Sequence, residues 1–199
     1  MLKPWTLLDA KLLVETRIFK LFADRYRSPR TGEENTYSSI DSPDWVNVVA
    51  LDSEGCMLLI RQFRFGTRSF TLEVPGGMVD PGEEPRVTAE RELREETGYV
   101  AARITSLGLC EPNPAIFNNR CHFFLAEGCT RQAELVLDPG EDIEVLPTPV
   151  DEVFAQLHGG GITHALVMVA LLQYELYRGG SLRLAASTLP NAAKLGTKP

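Results

Sequence analysis

The sequence is short of the residues that stiffen small secreted domains and of those that coat nucleic acid. Its 199 residues include four cysteines, Cys56, Cys110, Cys121 and Cys129, with no Cys-x-x-Cys pair, and three histidines. That pattern indicates neither a disulfide framework nor a zinc site and reads as free thiols in a reducing compartment. Positive charge is scarce as well: 20 Lys and Arg stand against 27 Asp and Glu, a net charge of −7. A surface of that sign argues against a nucleic-acid partner, although metal ions and a few arginines can still make one site attractive to phosphates. The most apolar stretch, 165–172, is far shorter than the roughly 20 residues a membrane-spanning helix needs. The first nine residues lack the apolar run of a signal peptide. There are no internal repeats, and the length suits one domain that buries about 70 % of its unfolded surface. The expectation is a cytoplasmic protein without membrane contact.

What the chain has in abundance is carboxylate in one place. Residues 77–99, GMVDPGEEPRVTAERELREETGY, contain Asp80, Glu83, Glu84, Glu90, Glu92, Glu95 and Glu96. Residues 69–74 before them read as a strand. The order is therefore strand, Pro75-Gly76-Gly77 turn, open loop, helix, and a stop at Gly98. Pro85 suits the first helical position, where its missing N–H is not needed. Gly98 suits a left-handed helix end. Between them Arg86, Ala89, Leu93 and Thr97 recur at the spacing of one face, and Glu92, Glu95 and Glu96 fill a sector beside it. Like charges three and four residues apart repel, so something must compensate, and hard divalent cations bind such oxygens. Arg91 and Arg94 offset part of the repulsion from the flank. Most charged helix faces are merely solvated, and the wider spacing decides between the two readings. Glu73, directly before the turn, would aim its carboxylate at the metal or substrate side. The glycines permit a close backbone approach, which makes the carbonyl of Gly76 a candidate metal ligand.

The whole spacing resembles the Nudix box, G-x5-E-x7-R-E-U-x-E-E-x-G-U, where U is a bulky aliphatic residue. It reads Gly77, Glu83, Arg91-Glu92-Leu93, Glu95-Glu96, Gly98 and Tyr99. Tyr99 alone departs, being aromatic at a packing position. The resemblance implies an α/β (α+β) Nudix fold, a mixed β-sheet sandwiched between helices, here with an N-terminal β-hairpin extension. It also implies that Glu92, Glu95, Glu96 and the Gly76 carbonyl hold Mg²⁺, for which Mn²⁺ often substitutes. Glu83 and Arg91 would keep loop and helix in register through a salt bridge.

In chain order, 14–27 reads as a long strand, 28–33 as a turn and 35–40 as a returning strand. Such a leading hairpin precedes the box in relatives that act on ADP-ribose and nucleotide sugars, where it helps form a homodimer; the alternative is a hairpin that only covers a sheet edge. Residues 46–51 and 56–63 form a second, central hairpin buried on both faces. Its end delivers Arg64, which the resemblance makes a candidate phosphate contact because a guanidinium fork binds two oxygens at once. Trp45 suits stacking on a base or simple packing. Strands follow at 102–110 and 121–126. Pro114, 16 residues past Gly98, resembles the ADP-ribose pyrophosphatase branch, and Asn118-Asn119-Arg120 resembles nucleotide-sugar hydrolases, which makes Asn119 and Arg120 candidate substrate contacts. The cluster 138–144 reads by itself as an exposed turn entering a strand. The resemblance places the catalytic base there, at Glu141, with Glu144 as the second choice. Helices are expected at 150–157 and 162–178, with His164 packed or capping. The organisation is an extension at 1–42, a hydrolase domain at 43–178 and a flexible tail at 179–199.

The reading is a Mg-dependent hydrolase that splits ADP-ribose or a nucleoside diphosphate sugar into a nucleoside monophosphate and a sugar phosphate. The alternatives are a pyrophosphohydrolase of nucleoside triphosphates or dinucleoside polyphosphates, with a sanitising role, and a non-catalytic nucleotide sensor. Sensors on this scaffold often lose box glutamates, which are all present here.

Overall fold

The computed structural model describes residues 2–137, 140 and 142–182, which divide into two units. Glu141 and most of the expected tail, 183–199, lie outside the described residues.

The first unit comprises 2–43 and 111–120. It holds a three-stranded antiparallel meander of β1 (Thr6–Glu15), β2 (Lys20–Arg27) and β3 (Glu34–Asp41). The expected long strand at 14–27 is thus broken. Thr16 N–H donates to the Phe19 carbonyl (2.9 Å), while Thr16 Oγ1 accepts from Phe19 N–H (3.0 Å) and donates back to its carbonyl (2.9 Å). A threonine that bonds its own neighbourhood offers the chain a turn in place of a ladder. The expected hairpin is therefore the second half of a larger sheet. Within the same unit the segment 111–120 is bonded to β3, with Ile40 N–H on the Ile116 carbonyl (2.7 Å).

The second unit comprises 44–110 and 121–182, and its sheet has seven strands. These are β4 (Trp45–Asp52), β5 (Cys56–Arg64), β6 (Ser69–Glu73), β7 (Tyr99–Val100), β8 (Arg103–Cys110), β9 (Cys121–Arg131) and β10 (Ile143–Pro149). β4 and β9 run parallel; the other pairs are antiparallel. β5 touches β4 at Leu51↔Met57 and then pairs with β6, with β10 along its other side. Side chains alternate across a strand, so β4 and β9 divide their residues between two cores. Val46, Val48, Ala50, Phe124 and Ala126 meet Ala89 and Leu93 of helix α1 (Pro85–Thr97). Val49, Phe123 and Leu125 meet helices α2 (Val150–His158) and α3 (Ala165–Arg178) through Val153, Val167, Ala170 and Leu171. The sheet is sandwiched between helices, as the pattern of continuous apolar strands predicts.

Two helix details differ from expectation. Arg86 is exposed and pairs with Glu90 (3.3 Å); Thr88, Ala89 and Leu93 form the buried face. α3 starts at Ala165, because Ile162 is spent as a buried anchor before the helix and His164 takes the extended N-cap conformation. Among the described residues no helix is long and apolar enough to cross a membrane.

Candidate functional site

The site is built where the start of β4 holds the turn that enters α1. Val46 N–H donates to the Gly77 carbonyl (2.9 Å), Val48 N–H to the Pro75 carbonyl (2.8 Å), and Val79 N–H to the Asp44 carbonyl (2.8 Å). With Pro75 and Gly77 both turned toward β4, backbone alternation sends the Gly76 carbonyl the other way, to the side of its own N–H. That N–H donates to Glu96 Oε2 at 2.8 Å. Gly76 is sterically required by the backbone of β4, whereas a side chain at Gly77 would have to displace the end of Glu92. A Cβ on Gly76 would sit 2.1 Å from the Val46 carbonyl oxygen, and a Cβ on Gly77 would sit 2.3 Å from Glu92 Oε1. The absent side chains thus let the turn lie directly against β4 and against the helix.

Helix α1 presents Glu92 and Glu96 to that turn because both its ends are fixed. Pro85 opens it, and Gly98 closes it at φ 76° with its N–H on the Arg94 carbonyl. Gly98 has no alternative, since a Cβ there would also lie 2.3 Å from the Ala133 carbonyl oxygen. Glu92, Glu95 and Glu96 fall on successive turns beside the buried Ala89 and Leu93, and Glu96 is itself buried. Arg91 gathers the rest. Its guanidinium donates to both oxygens of Glu83 (3.3 and 3.1 Å), to Glu92 Oε1 (2.8 Å), to Glu95 Oε2 (3.0 Å) and to the Met78 carbonyl (3.3 Å). The Glu83 hydrogen bond, with Glu92 and Glu95 beside it, raises the Arg91 pKa above its ordinary value. In return the Arg91 hydrogen bond and that of Thr88 Oγ1 (2.7 Å) hold the Glu83 carboxyl below the ordinary 4.5. Glu83 is therefore tied to the helix at two points, and the loop 78–84 is closed against it.

A second charged group lies at the end of β5. Arg64 donates to Glu73 twice, Nε to Oε1 (2.7 Å) and Nη2 to Oε2 (2.6 Å), and Thr71 Oγ1 donates to Oε1 (2.5 Å). Burial pushes the Glu73 carboxyl up, but the Arg64 and Thr71 hydrogen bonds outweigh it and the net shift is downward. The fork expected to meet phosphate thus grips Glu73 along one edge, and 43 % of the Arg64 side chain is exposed. His164 joins this group with Nδ1 3.9 Å from Glu73 Oε2. Sequence reading did not connect the two, since they are 91 positions apart and no spacing rule links them.

The remaining candidates are dispersed. Trp45 is half-buried, bridged to Met78 and packed against the core shared with α2 and α3. Glu144 sits on β10 opposite Arg61 and pairs with it at 2.6 Å. Ile143, next along, is opposite Gln62, so the chain that follows Glu141 enters the sheet beside the end of β5. Asn119 and Arg120 belong to the first unit, where Asn119 is buried and donates to the Pro43 carbonyl (3.0 Å).

Carboxylate oxygens of Glu92, Glu95 and Glu96 and a main-chain carbonyl are the kind of donors a hard divalent ion takes. Among the described residues no three acidic, His or Cys side chains are gathered about one point. Arg91 holds Glu92 and Glu95, and the Gly76 N–H holds Glu96.

Comparison with known proteins gives the same picture. The family model described as NUDIX domain matches residues 42–168. The chain is similar to the ADP-ribose pyrophosphatase of Bacillus subtilis, 28 % identical over 175 residues that cover 85 % of this chain and 94 % of that one. It is similar to the ADP-sugar pyrophosphatase of Mus musculus, 30 % identical over 74 % of this chain and 69 % of that one. A crystal structure of an ADP compounds hydrolase has the same fold, with a TM-score of 0.80 at 24 % identity, covering 91 % of this chain and 98 % of the other. Nudix hydrolases generally need a divalent metal. With well over half of the chain matched by the family model, the chain belongs to the Nudix family.

Proposed function

We propose that this Nudix hydrolase splits the diphosphate bond of ADP-ribose or a nucleoside diphosphate sugar, releasing a nucleoside monophosphate and a sugar phosphate. The observation that carries the reading is that Glu96 and Glu92 of the box meet the Gly76-Gly77 turn, Glu96 accepting from the Gly76 N–H and Glu92 lying against Gly77. Its substrate class is supported by the relatives, which are named for ADP-ribose and ADP-sugars.

A diphosphate resists hydrolysis because its oxygens repel an incoming nucleophile. Mg²⁺, or Mn²⁺ in its place, would be held by Glu92, Glu95, Glu96 and the Gly76 carbonyl and would neutralise those oxygens. The chain's own groups do the rest. Glu83 and Arg91 keep the box loop on α1, so that the carboxylates meet the substrate in a fixed geometry. Arg64, held by Glu73, turns its other edge to the phosphates. Glu141 takes a proton from the attacking water as the water oxygen bonds to one phosphorus and the bridging P–O bond breaks, the other phosphate leaving with the bridging oxygen. The protein would act in the cytoplasm as a homodimer, its first unit contributing to the interface.

Product analysis by chromatography tests the reading, with Mg²⁺ and a panel of ADP-ribose, nucleotide sugars, a dinucleoside polyphosphate and nucleoside triphosphates. AMP with ribose 5-phosphate, or a nucleoside monophosphate with a sugar phosphate, is the expected result. Pyrophosphate released from triphosphates alone would move the protein to the sanitising branch. Binding without turnover would make it a sensor.

A further inference from the structure

Two of the four cysteines face each other across one ladder. β8 and β9 run antiparallel, and Cys110 stands directly opposite Cys121 at the end of their register. Opposite residues of an antiparallel pair share one face of the sheet, with Cα atoms about 4.5–5.5 Å apart. A disulfide spans about 4.4–6.8 Å between Cα atoms, so the ladder itself holds the two within bonding reach. Both belong to the core formed with α2 and α3, Cys121 buried inside it and Cys110 half-buried against it. Helix α1 packs on the other face of the sheet. The remaining cysteines lack such a neighbour in register: Cys56 is half-buried opposite Pro149, and Cys129 is buried opposite Asp52. All four are held as thiols. Burial, with Cys110 and Asp44 beside it, raises the Cys121 thiol well above its ordinary value. Cys121 therefore keeps its proton and is closed to solvent, whereas Cys110 is the sulfur that a solute can reach.

We propose that Cys110 and Cys121 form a peroxide-responsive dithiol site, in which Cys110 takes the oxidant and Cys121 resolves it as a cross-strand disulfide. In the first step the Cys110 sulfur bonds to one oxygen of hydrogen peroxide and the O–O bond breaks. Cys110 becomes a sulfenic acid, and its thiol proton leaves with the other oxygen as water. The sulfur gives up two electrons and the peroxide takes them. In the second step the Cys121 sulfur bonds to the Cys110 sulfur and the S–O bond breaks. The hydroxyl leaves with the Cys121 proton as a second water, so one peroxide and two thiols yield one disulfide and two waters. A thiol reductant reverses the bond by exchange, becoming a disulfide itself. The value of the second sulfur is that it stops oxidation at a reversible stage. A sulfenic acid without a resolving partner goes on to the sulfinic acid, which thiols do not reduce. Cys121 suits that task because β9 is paired on both sides, with Trp45 of β4 opposite it across the other ladder, so it waits beside Cys110 without rearrangement. A transient disulfide of this kind is the sort that a reducing compartment tolerates.

The experiment is peptide mapping of the full chain by mass spectrometry, after hydrogen peroxide and again after a thiol reductant. Cleavage after Arg103, Arg120 and Arg131 puts Cys110 on peptide 104–120 and Cys121 on peptide 121–131, which also carries Cys129. In the wild type the two peptides should appear joined, lighter than their sum by two hydrogens, and should separate on reduction. Cys129→Ser should keep the link, which assigns it to Cys121. In Cys121→Ser the same treatment should carry Cys110 to the sulfinic acid, a gain of two oxygens that the reductant leaves in place, several-fold more often than in the wild type. Should that buried substitution prevent folding, Cys110→Ser at the half-buried position decides: it should form no link and leave Cys121 a thiol, because peroxide reaches Cys121 only through Cys110. The proposal is overturned if wild-type Cys110 reaches the sulfinic acid without a link, or if the link is lost in Cys129→Ser. It is overturned equally if Cys121 oxidises in Cys110→Ser as it does in the wild type, or if Cys110 stays a thiol while the half-buried Cys56 is oxidised.

Discussion

Two arginines organise the charged interior of the second unit, and they do so in opposite ways. Arg91 is shared among Glu83, Glu92 and Glu95, with 29 % of its side chain exposed. Arg64 grips Glu73, whose side chain is 3 % exposed, with two hydrogen bonds. The first arrangement sets several carboxylates around one guanidinium. The second sets one guanidinium edge along one carboxylate. A buried pair of matched groups stabilises mainly by avoiding an orphaned charge, whereas an under-compensated cluster is costly to assemble and useful only to a ligand. On the proposed function, the difference separates a cluster that holds a metal ion from a pair that orients one side chain.

The comparison breaks most visibly at Glu96. Glu96→Gln should lower turnover about a thousand-fold or more with divalent metal present, as expected when one of a few charges on a transferring phosphoryl group is lost. Near-normal kcat would remove Glu96 from the metal set and make the α1 cluster no different in kind from the Arg64 pair.

The glycines give the next effect. In Gly76→Ala the new Cβ meets backbone, the Val46 carbonyl at 2.1 Å, so stability should fall by about 3 kcal/mol, read from the urea midpoint. In Gly77→Ala it meets the movable end of Glu92, so activity should fall about tenfold with a smaller stability change. Equal losses of stability in the two would show that Glu92 is not free to shift.

Glu73→Gln tests the second arrangement. It removes the charge that Arg64 grips, and because Arg64 is partly exposed the cost should be about 2 kcal/mol, below that of a fully buried pair. The pH dependence has a definite sign. Glu73 and Glu83 both hold folded values below the ordinary 4.5. Their contribution is therefore complete above that value and is lost as the pH falls through the lowered one. Wild-type stability should drop between about pH 5 and about pH 3, and the drop should be shallower in Glu73→Gln.

The smallest effect belongs to an ion pair of neither kind. Arg86 and Glu90 are both exposed on the outer face of α1. Arg86→Ala should change the melting midpoint by no more than the equivalent of about 0.5 kcal/mol and leave kcat alone. A larger effect would mean that the outer face of the helix contributes to the site.

Much of the second unit is legible from its residues. Pro85 and Gly98 bracket α1 as local backbone preference requires, and the continuous apolar runs of β4 and β5 announce strands with both faces covered. The first unit is less so. Residues 14–27 look like one strand because Val, Ile, Phe and Tyr dominate them, and only the hydrogen bonds of Thr16 reveal the turn. Arg86 has the spacing of the buried face, yet the helix rotates Thr88 inward instead. Such choices depend on what lies across the gap, which spacing does not encode.

By itself, the sequence determined the family, the order of elements around the box and the identity of the box carboxylates. The order of elements follows from local geometry, namely 3.6 residues per turn, a fixed proline φ and a glycine that can turn left; the family and the carboxylates' roles follow from resemblance to the Nudix box. Apart from the Glu83–Arg91 pair, which the resemblance implied, the tertiary structure decided which arginine holds which carboxylate. It tied Arg64 to Glu73, brought His164 from the start of α3 to within 3.9 Å of that pair, and set Arg91 amid Glu83, Glu92 and Glu95. Ion pairs are chosen by distance in space and by the burial around them, and both exist only once the sheet has brought remote segments together.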